Sequence, residues 1–202
     1  MGESAIVGRV LRASTTGFSI GCRQLISEQG QRIPEFGALV RAEREDGNRI
    51  FGLIYNVTVE DDAFVRQLVA AGVESAEIIE DQRQKRQVPI IVDALVVGSG
   101  RGTEVSYRLP AQPPATLDQI YVCNGAEIRR FTERNDWLRT VLSAAGTPTD
   151  HLVVAALRAG ASVRASADEK EAYLITAGRE LAKLLALDLT RLDGVLRQLR
   201  EV

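Results

Sequence analysis

The chain has 202 residues, 45% hydrophobic and 26% charged, with a formal net charge of -2. This is the composition of an ordinary folded globular protein, with room for one larger domain or two small ones. The near-neutral balance excludes binding to nucleic acid or anionic lipid through the surface as a whole, so any such contact needs a local patch.

No targeting signal is expected ahead of Ile6-Val7-Gly8-Arg9-Val10, because no basic stretch and no long apolar stretch precedes it. No run approaches the roughly 18 consecutive apolar residues of a membrane span, so no membrane partner is expected. Cys22 and Cys123 lie in strand-like runs without a CxxC partner or a nearby histidine. They read as two reduced thiols, and the expected location is the cytoplasm.

In chain order, Ile6 to Leu11 is a β-branched apolar strand, Thr15-Thr16-Gly17 a turn, and Phe18 to Cys22 an alternating strand. Pro34-Glu35-Phe36-Gly37 predicts a second turn before the strand Ala38 to Glu43. Glu45-Asp46-Gly47-Asn48 contains the Asp-Gly pair of a tight hairpin. The return strand, Arg49 to Val59, puts Phe51, Leu53, Tyr55, Val57 and Val59 on one face, as a half-buried antiparallel strand does. Asp61-Asp62 then suits the positive end of a helix dipole. The helix stacks Phe64 with Leu68 and Val65 with Val69, and Gly72 ends it. Glu80 to Gln87 is polar throughout and reads as an exposed loop.

Val88 to Val97 is the most apolar strand, and proline at its start is tolerable. Leu109 to Pro114 is proline-rich and extended, leading to a last strand, Ile120 to Cys123. After about residue 130 the apolar period changes from two to 3.6. Helices are predicted over Glu133 to Ala145, from a Thr147-Pro148 start to Gly160, from a Ser166 to Glu169 capping box onward, and over Leu189 to Leu199. The expected fold class is α+β: a small antiparallel β-barrel over residues 1–128 and a helical bundle over 129–202.

Chemistry-bearing motifs are scarce. Gly98-Ser99-Gly100-Arg101-Gly102-Thr103 follows a strand but lacks the lysine and spacing of a phosphate loop, so a flexible hairpin loop is expected. His151 is the only histidine and sits beside Asp150 in a first helical turn, far in sequence from either cysteine. The adjacent acids Asp61-Asp62 and Glu80-Asp81 point in different directions. No catalytic, cofactor-binding or metal-binding residues are assigned.

Residues Glu180 to Leu199 resemble the helix-turn-helix of winged-helix regulators. In that likeness Ala182 is the small residue of close approach, Ala186 stands at the turn and Leu192 is the buried aliphatic. Asp193 and Gly194 depart from it, because an acid would repel phosphate and a glycine weakens the helix. DNA contact would fall to Arg191, Arg197 and Arg200.

Gly8 to Leu11, Thr15 to Ile20, Phe36 to Val40 and Ile50 to Ile54 together resemble the HAS barrel, the small barrel of HerA-type DNA-pumping ATPases and ATP synthase ring subunits. Leu109 to Pro114 followed by Leu117-Asp118-Gln119-Ile120 is similar to the way that barrel ends. The resemblance implies an assembly element that forms homo-oligomers, or docks on a ring ATPase of a DNA-processing system, with no catalytic residues of its own. The expectation is therefore a non-enzymatic assembly or adaptor protein. The alternative is a DNA-binding regulator acting through the C-terminal helices.

Overall fold

The computed structural model describes residues 6–22, 35–59, 63–70, 72 and 90–200. Six strands form a closed antiparallel barrel: β1 (Ile6–Ala13), β2 (Gly17–Cys22), β3 (Leu39–Glu43), β4 (Asn48–Val59), β5 (Ile90–Arg101) and β6 (Gln119–Val122). Their order around the barrel is β1-β2-β5-β4-β3-β6. The short β6 closes it, pairing Ile120 with Gly8 of β1 on one side and Ala42 of β3 on the other. A helix, α1 (Ala63–Ala70), lies between β4 and β5 in sequence. Five helices follow the barrel: α2 (Gly125–Phe131), α3 (Trp137–Leu142), α4 (Thr149–Ser162), α5 (Ala167–Leu184) and α6 (Leu189–Arg200). The fold is α+β, a barrel followed by a helical bundle. Among the described residues no helix is long and apolar enough to cross a membrane.

Period-two alternation sorts the strand residues into two cores. The barrel interior holds Val10, Ile20, Val40, Ile50, Ile54, Val92, Val96 and Ile120. Outward-facing Leu39, Phe51, Leu53, Leu95 and Val97 pack with Phe131, Trp137, Leu138, Leu157 and Leu181 of the helices. Phe131 is the hub, with ring centroids 5.4 Å from Phe51, 5.4 Å from Tyr107 and 6.3 Å from Trp137.

This second core corrects the expectation for β4. From Ile50 to Ile54 the strand is buried on both faces, because the helices cover its outer side. A bulge between Ile54 and Asn56 then shifts the register, so Asn56 rather than Val57 shares a face with Asp93. The expected Phe51-to-Val59 face is thereby broken at Tyr55.

Other boundaries also move. The first helix after β6 starts at Gly125, ahead of residue 129, because Asn124 and Glu127 form a reciprocal capping box. The expected helix Glu133 to Ala145 is shorter, with α3 spanning only Trp137–Leu142. Thr147 does not cap α4: its hydroxyl donates back to the Ala144 carbonyl (3.1 Å), and the helix begins at Thr149. Ser166 does cap α5, accepting from the Glu169 amide (3.2 Å). The Glu169 carboxylate, however, accepts from Ala165 N and Arg129.

The glycine run after β5 is not a flexible loop. Gly98 to Arg101 belong to β5 and pair with Asn48 to Phe51, while the following turn folds Ser106 back against Ser99. A Cβ at Gly98 would sit 2.6 Å from the Ser106 carbonyl oxygen, and any side chain at Gly100 would collide with the Glu104 carbonyl. The glycines serve backbone approach.

Gly47 turns the β3–β4 hairpin at φ 77°, and Gly72 ends α1 at φ 66°, as expected. The expectations for Pro34, for Asp61-Asp62, for Glu80 to Gln87 and for Val88-Pro89 fall outside the described residues.

Candidate interaction surfaces

The outer wall of β1 carries unburied apolar groups. Ile6 and Leu11 are exposed there, and Leu11 lies over the bare backbone of Gly21 on β2. Beside them the turn 115–118 carries Leu117 at φ 72°, the only described residue other than glycine with a positive φ. A side chain in that region costs about 1–2 kcal/mol. The turn is held from several directions. Leu117 N donates to the Val10 carbonyl (2.9 Å), and Arg9 Nη1 donates to the Leu117 carbonyl (2.8 Å). Val10 N donates to the Asp118 carbonyl (3.0 Å), and the Asp118 carboxylate accepts from Ala115 N (2.7 Å). The Leu117 side chain itself is 62% exposed. The fold thus holds a strained leucine and gains no burial from it. Sequence reading could not find this, because glycine or asparagine is the usual sign of such a conformation.

The C-terminal helices place the three arginines expected at DNA differently from one another. Arg191 reaches across to α4, where its Nε donates to Asp150 Oδ1 (2.8 Å) and its Nη2 to Thr149 Oγ1 (2.7 Å). Arg197 pairs with Asp193 one turn back (2.6 Å). Arg200 is exposed at the end of α6. Leu192, Val195 and Leu199 turn into the shared core, and Arg158 Nη2 of α4 donates to the Gln198 carbonyl (2.6 Å). Ala182 is exposed. The close approach of α5 to α6 falls one turn earlier, where Gly178 faces Leu196. His151 is exposed in the first turn of α4.

A buried ionic cluster joins the barrel to α2. Arg41, 7% exposed on β3, places Nε 2.7 Å from Glu127 Oε1, pairs with Glu43 through Nη1, and lies 4.8 Å over the Tyr121 ring. Arg49 approaches both Glu43 (3.2 Å) and Glu127 (3.9 Å). Arg41 and Glu127 are shielded at its centre while Arg49 and Glu43 are partly exposed, and the cluster ties α2 to the barrel.

Cys22 and Cys123 are both free and buried. Burial pushes the Cys22 thiol up to about 11, and burial with the Glu127 charge raises Cys123 as well. Thiolate is the reactive form, so both should resist iodoacetamide at pH 8 in the folded protein and react once it is unfolded. Mass spectrometry of alkylated protein checks this, and rapid labelling of native protein would contradict it. Among the described residues, no group of three or more His, Cys, Asp or Glu is placed to hold a metal ion.

On the far side of the β1–β2 hairpin a cleft opens between the barrel wall and the α3–α4 connection. Its floor is a polar chain: Arg12 Nε donates to Ser19 Oγ (2.9 Å), Ser19 Oγ donates to Asp93 Oδ1 (2.5 Å), and Asn56 Nδ2 donates to Asp93 Oδ2 (3.1 Å). None of these residues stood out in the sequence, because they come from four strands and meet only when the barrel closes.

Neither protein-family models nor curated protein sequences match this chain. A closed barrel joined to a helical bundle is compatible with a non-catalytic domain that mediates interactions.

Proposed function

We propose that this chain is a non-enzymatic assembly protein whose barrel self-associates, or docks on a HerA-like ring ATPase of a DNA-processing system, through the outer wall of β1. The observation that supports this reading is Leu117, an apolar side chain presented to solvent at a backbone cost. Strain of this kind persists only where surrounding structure enforces it, and it gathers at functional positions. The closed barrel has no free strand edge, so a partner must be recognised by side chains, and Ile6, Leu11 and Leu117 are the apolar ones available on this wall. The resemblance of the N-terminal segments to HAS barrels supports the same use. For α6 as a DNA reader, Arg191 and Arg197 would first have to leave their acidic partners.

The test is solution mass by light scattering on the full chain and on Leu117→Gly. The wild type is expected to form a higher oligomer that dissociates on dilution. Glycine removes both the anchor and the strain, so association should weaken by at least about ten-fold, as loss of a central apolar anchor does, with no fall in Tm. A wild type that stays monomeric when concentrated, and that captures no ATPase, would refute the reading. A variant with wild-type mass would remove the β1 wall from it.

A further inference from the structure

The cleft beside the β1–β2 hairpin has a volume of about 630 Å³ and is lined by residues of β1, β2, β4 and β5, by Leu109, and by the α3–α4 connection from Thr140 to Thr147. That volume suits a small organic molecule, since ligand pockets run from about 300 to 1,000 Å³. Two features define what would enter.

The first is the orientation of Arg12. Its Nε is fixed by Ser19, and Ser19 is fixed in turn by Asp93, so the plane of the guanidinium is set from below. Asp93 Oδ1 lies 3.7 Å from Nη2, a charge pairing rather than a hydrogen bond. The outer edge, formed by Nη1 and Nη2, makes no hydrogen bond to the described residues, and the side chain is 79% exposed. A guanidinium edge held in this way is a two-pronged donor that fits a planar pair of oxygens.

The second is the neighbouring surface. Leu95, Leu109, Ala144 and Ala145 give the cleft an apolar wall, and the ring of Tyr55 lines it beside Asp93. At the rim Ser143 Oγ donates to the Arg139 carbonyl, Thr147 Oγ1 to the Ala144 carbonyl, and Ser14 Oγ is engaged with Thr16 and Gly17. Arg12 is the one cationic side chain of the lining.

We propose that this cleft binds a small amphipathic organic acid, its carboxylate received by the Nη1–Nη2 edge of Arg12 and its apolar body laid against Leu95, Leu109 and Ala144. Asp93 beside the guanidinium offsets its charge, so a dianion's doubled attraction to Arg12 is countered by doubled repulsion from Asp93, and a phosphate ester gains nothing over a carboxylate. The site shares strand β1 with the proposed interaction wall, but none of Ile6, Leu11 and Leu117 lines it.

The test is a saturation-transfer NMR titration of the full-length protein with hexanoate, a method insensitive to oligomer size. Binding is expected to saturate below about 10 mM, as suits a ligand of this size. Hexanamide, and hexanoate with Arg12→Gln, should bind at least about ten-fold more weakly, reflecting loss of a charged hydrogen-bonding pair. Arg12→Lys should bind between the wild type and the glutamine variant, because it keeps the charge and loses the fork. Hexyl phosphate should bind no more tightly than hexanoate. The assignment is overturned if hexanoate gives no saturable signal, if hexanamide matches it, or if both Arg12 variants bind as the wild type does. A leucine-terminated tripeptide that binds more tightly than hexanoate would overturn it too, by making a polypeptide terminus the ligand. Circular dichroism of each variant separates lost binding from lost folding.

Discussion

Replacing Phe131 with alanine is expected to lower the free energy of unfolding by about 3–5 kcal/mol, the range for removing a buried aromatic side chain. Phe131 is 1% exposed and stands where Phe51 of the barrel, Tyr107 of the returning turn and Trp137 of the bundle converge. The cavity left behind could not collapse easily, because its walls belong to a strand, a loop and a helix with separate attachments. The effect should be felt at both ends of the molecule. Denaturant unfolding followed by far-ultraviolet circular dichroism and by the fluorescence of Trp137, the single tryptophan, should shift to the same lower midpoint in both signals. A loss below about 1 kcal/mol, or two separated transitions in the wild type, would contradict a core shared by barrel and bundle.

Replacing Arg41 with alanine should cost about 3 kcal/mol, because it removes the guanidinium 2.7 Å from the largely buried Glu127 carboxylate, whereas Arg49 stands farther off at 3.9 Å. The informative comparison is the double variant Arg41→Met, Glu127→Gln. Methionine refills the volume, and glutamine removes the orphaned charge while still serving as the capping-box residue for α2. Stability should recover to within about 1 kcal/mol of the wild type, as replaced buried ion pairs commonly do. Equilibrium denaturation of the three proteins decides it. A double variant as weak as Arg41→Ala would mean that the guanidinium contributes through Glu43 or the Tyr121 ring, not through Glu127.

Much of the barrel was legible because its strands carry their own signals. The alternation of Phe18 to Cys22 and the Asp46-Gly47 turn are local facts, and local facts survive folding. What could not be read depended on residues far away in sequence. The double burial of β4 needs helices more than seventy positions on to cover Phe51 and Leu53. The glycines of β5 make sense only once the Glu104 and Ser106 carbonyls are seen beside them. The cap that starts α2 was present in the sequence as Asn124 and Glu127, but the strand-like stretch before it masked the change of period. The arginines of α6 were named as DNA contacts through the helix-turn-helix likeness, and nothing local to α6 identified Asp150 and Thr149 as the partners of Arg191. Leu117 and the Arg12 cleft lay beyond pattern reading for the same reason: one is a backbone angle, the other a meeting of four strands.

Barrel closure by β6 also sets a timetable for biosynthesis. β1 and β3 each keep an unpaired edge until residues 119–122 have been made and have left the ribosome. About 80 residues separate the end of β3 from the end of β6, which at about 5–20 residues per second is roughly 4–16 s of elongation. Until β5 is made, β2 and β4 lack a neighbour as well, and afterwards the edges of β1 and β3 stay open until β6 arrives. Pairing Ile6 with Tyr121 is thus a late event with a large loop to close.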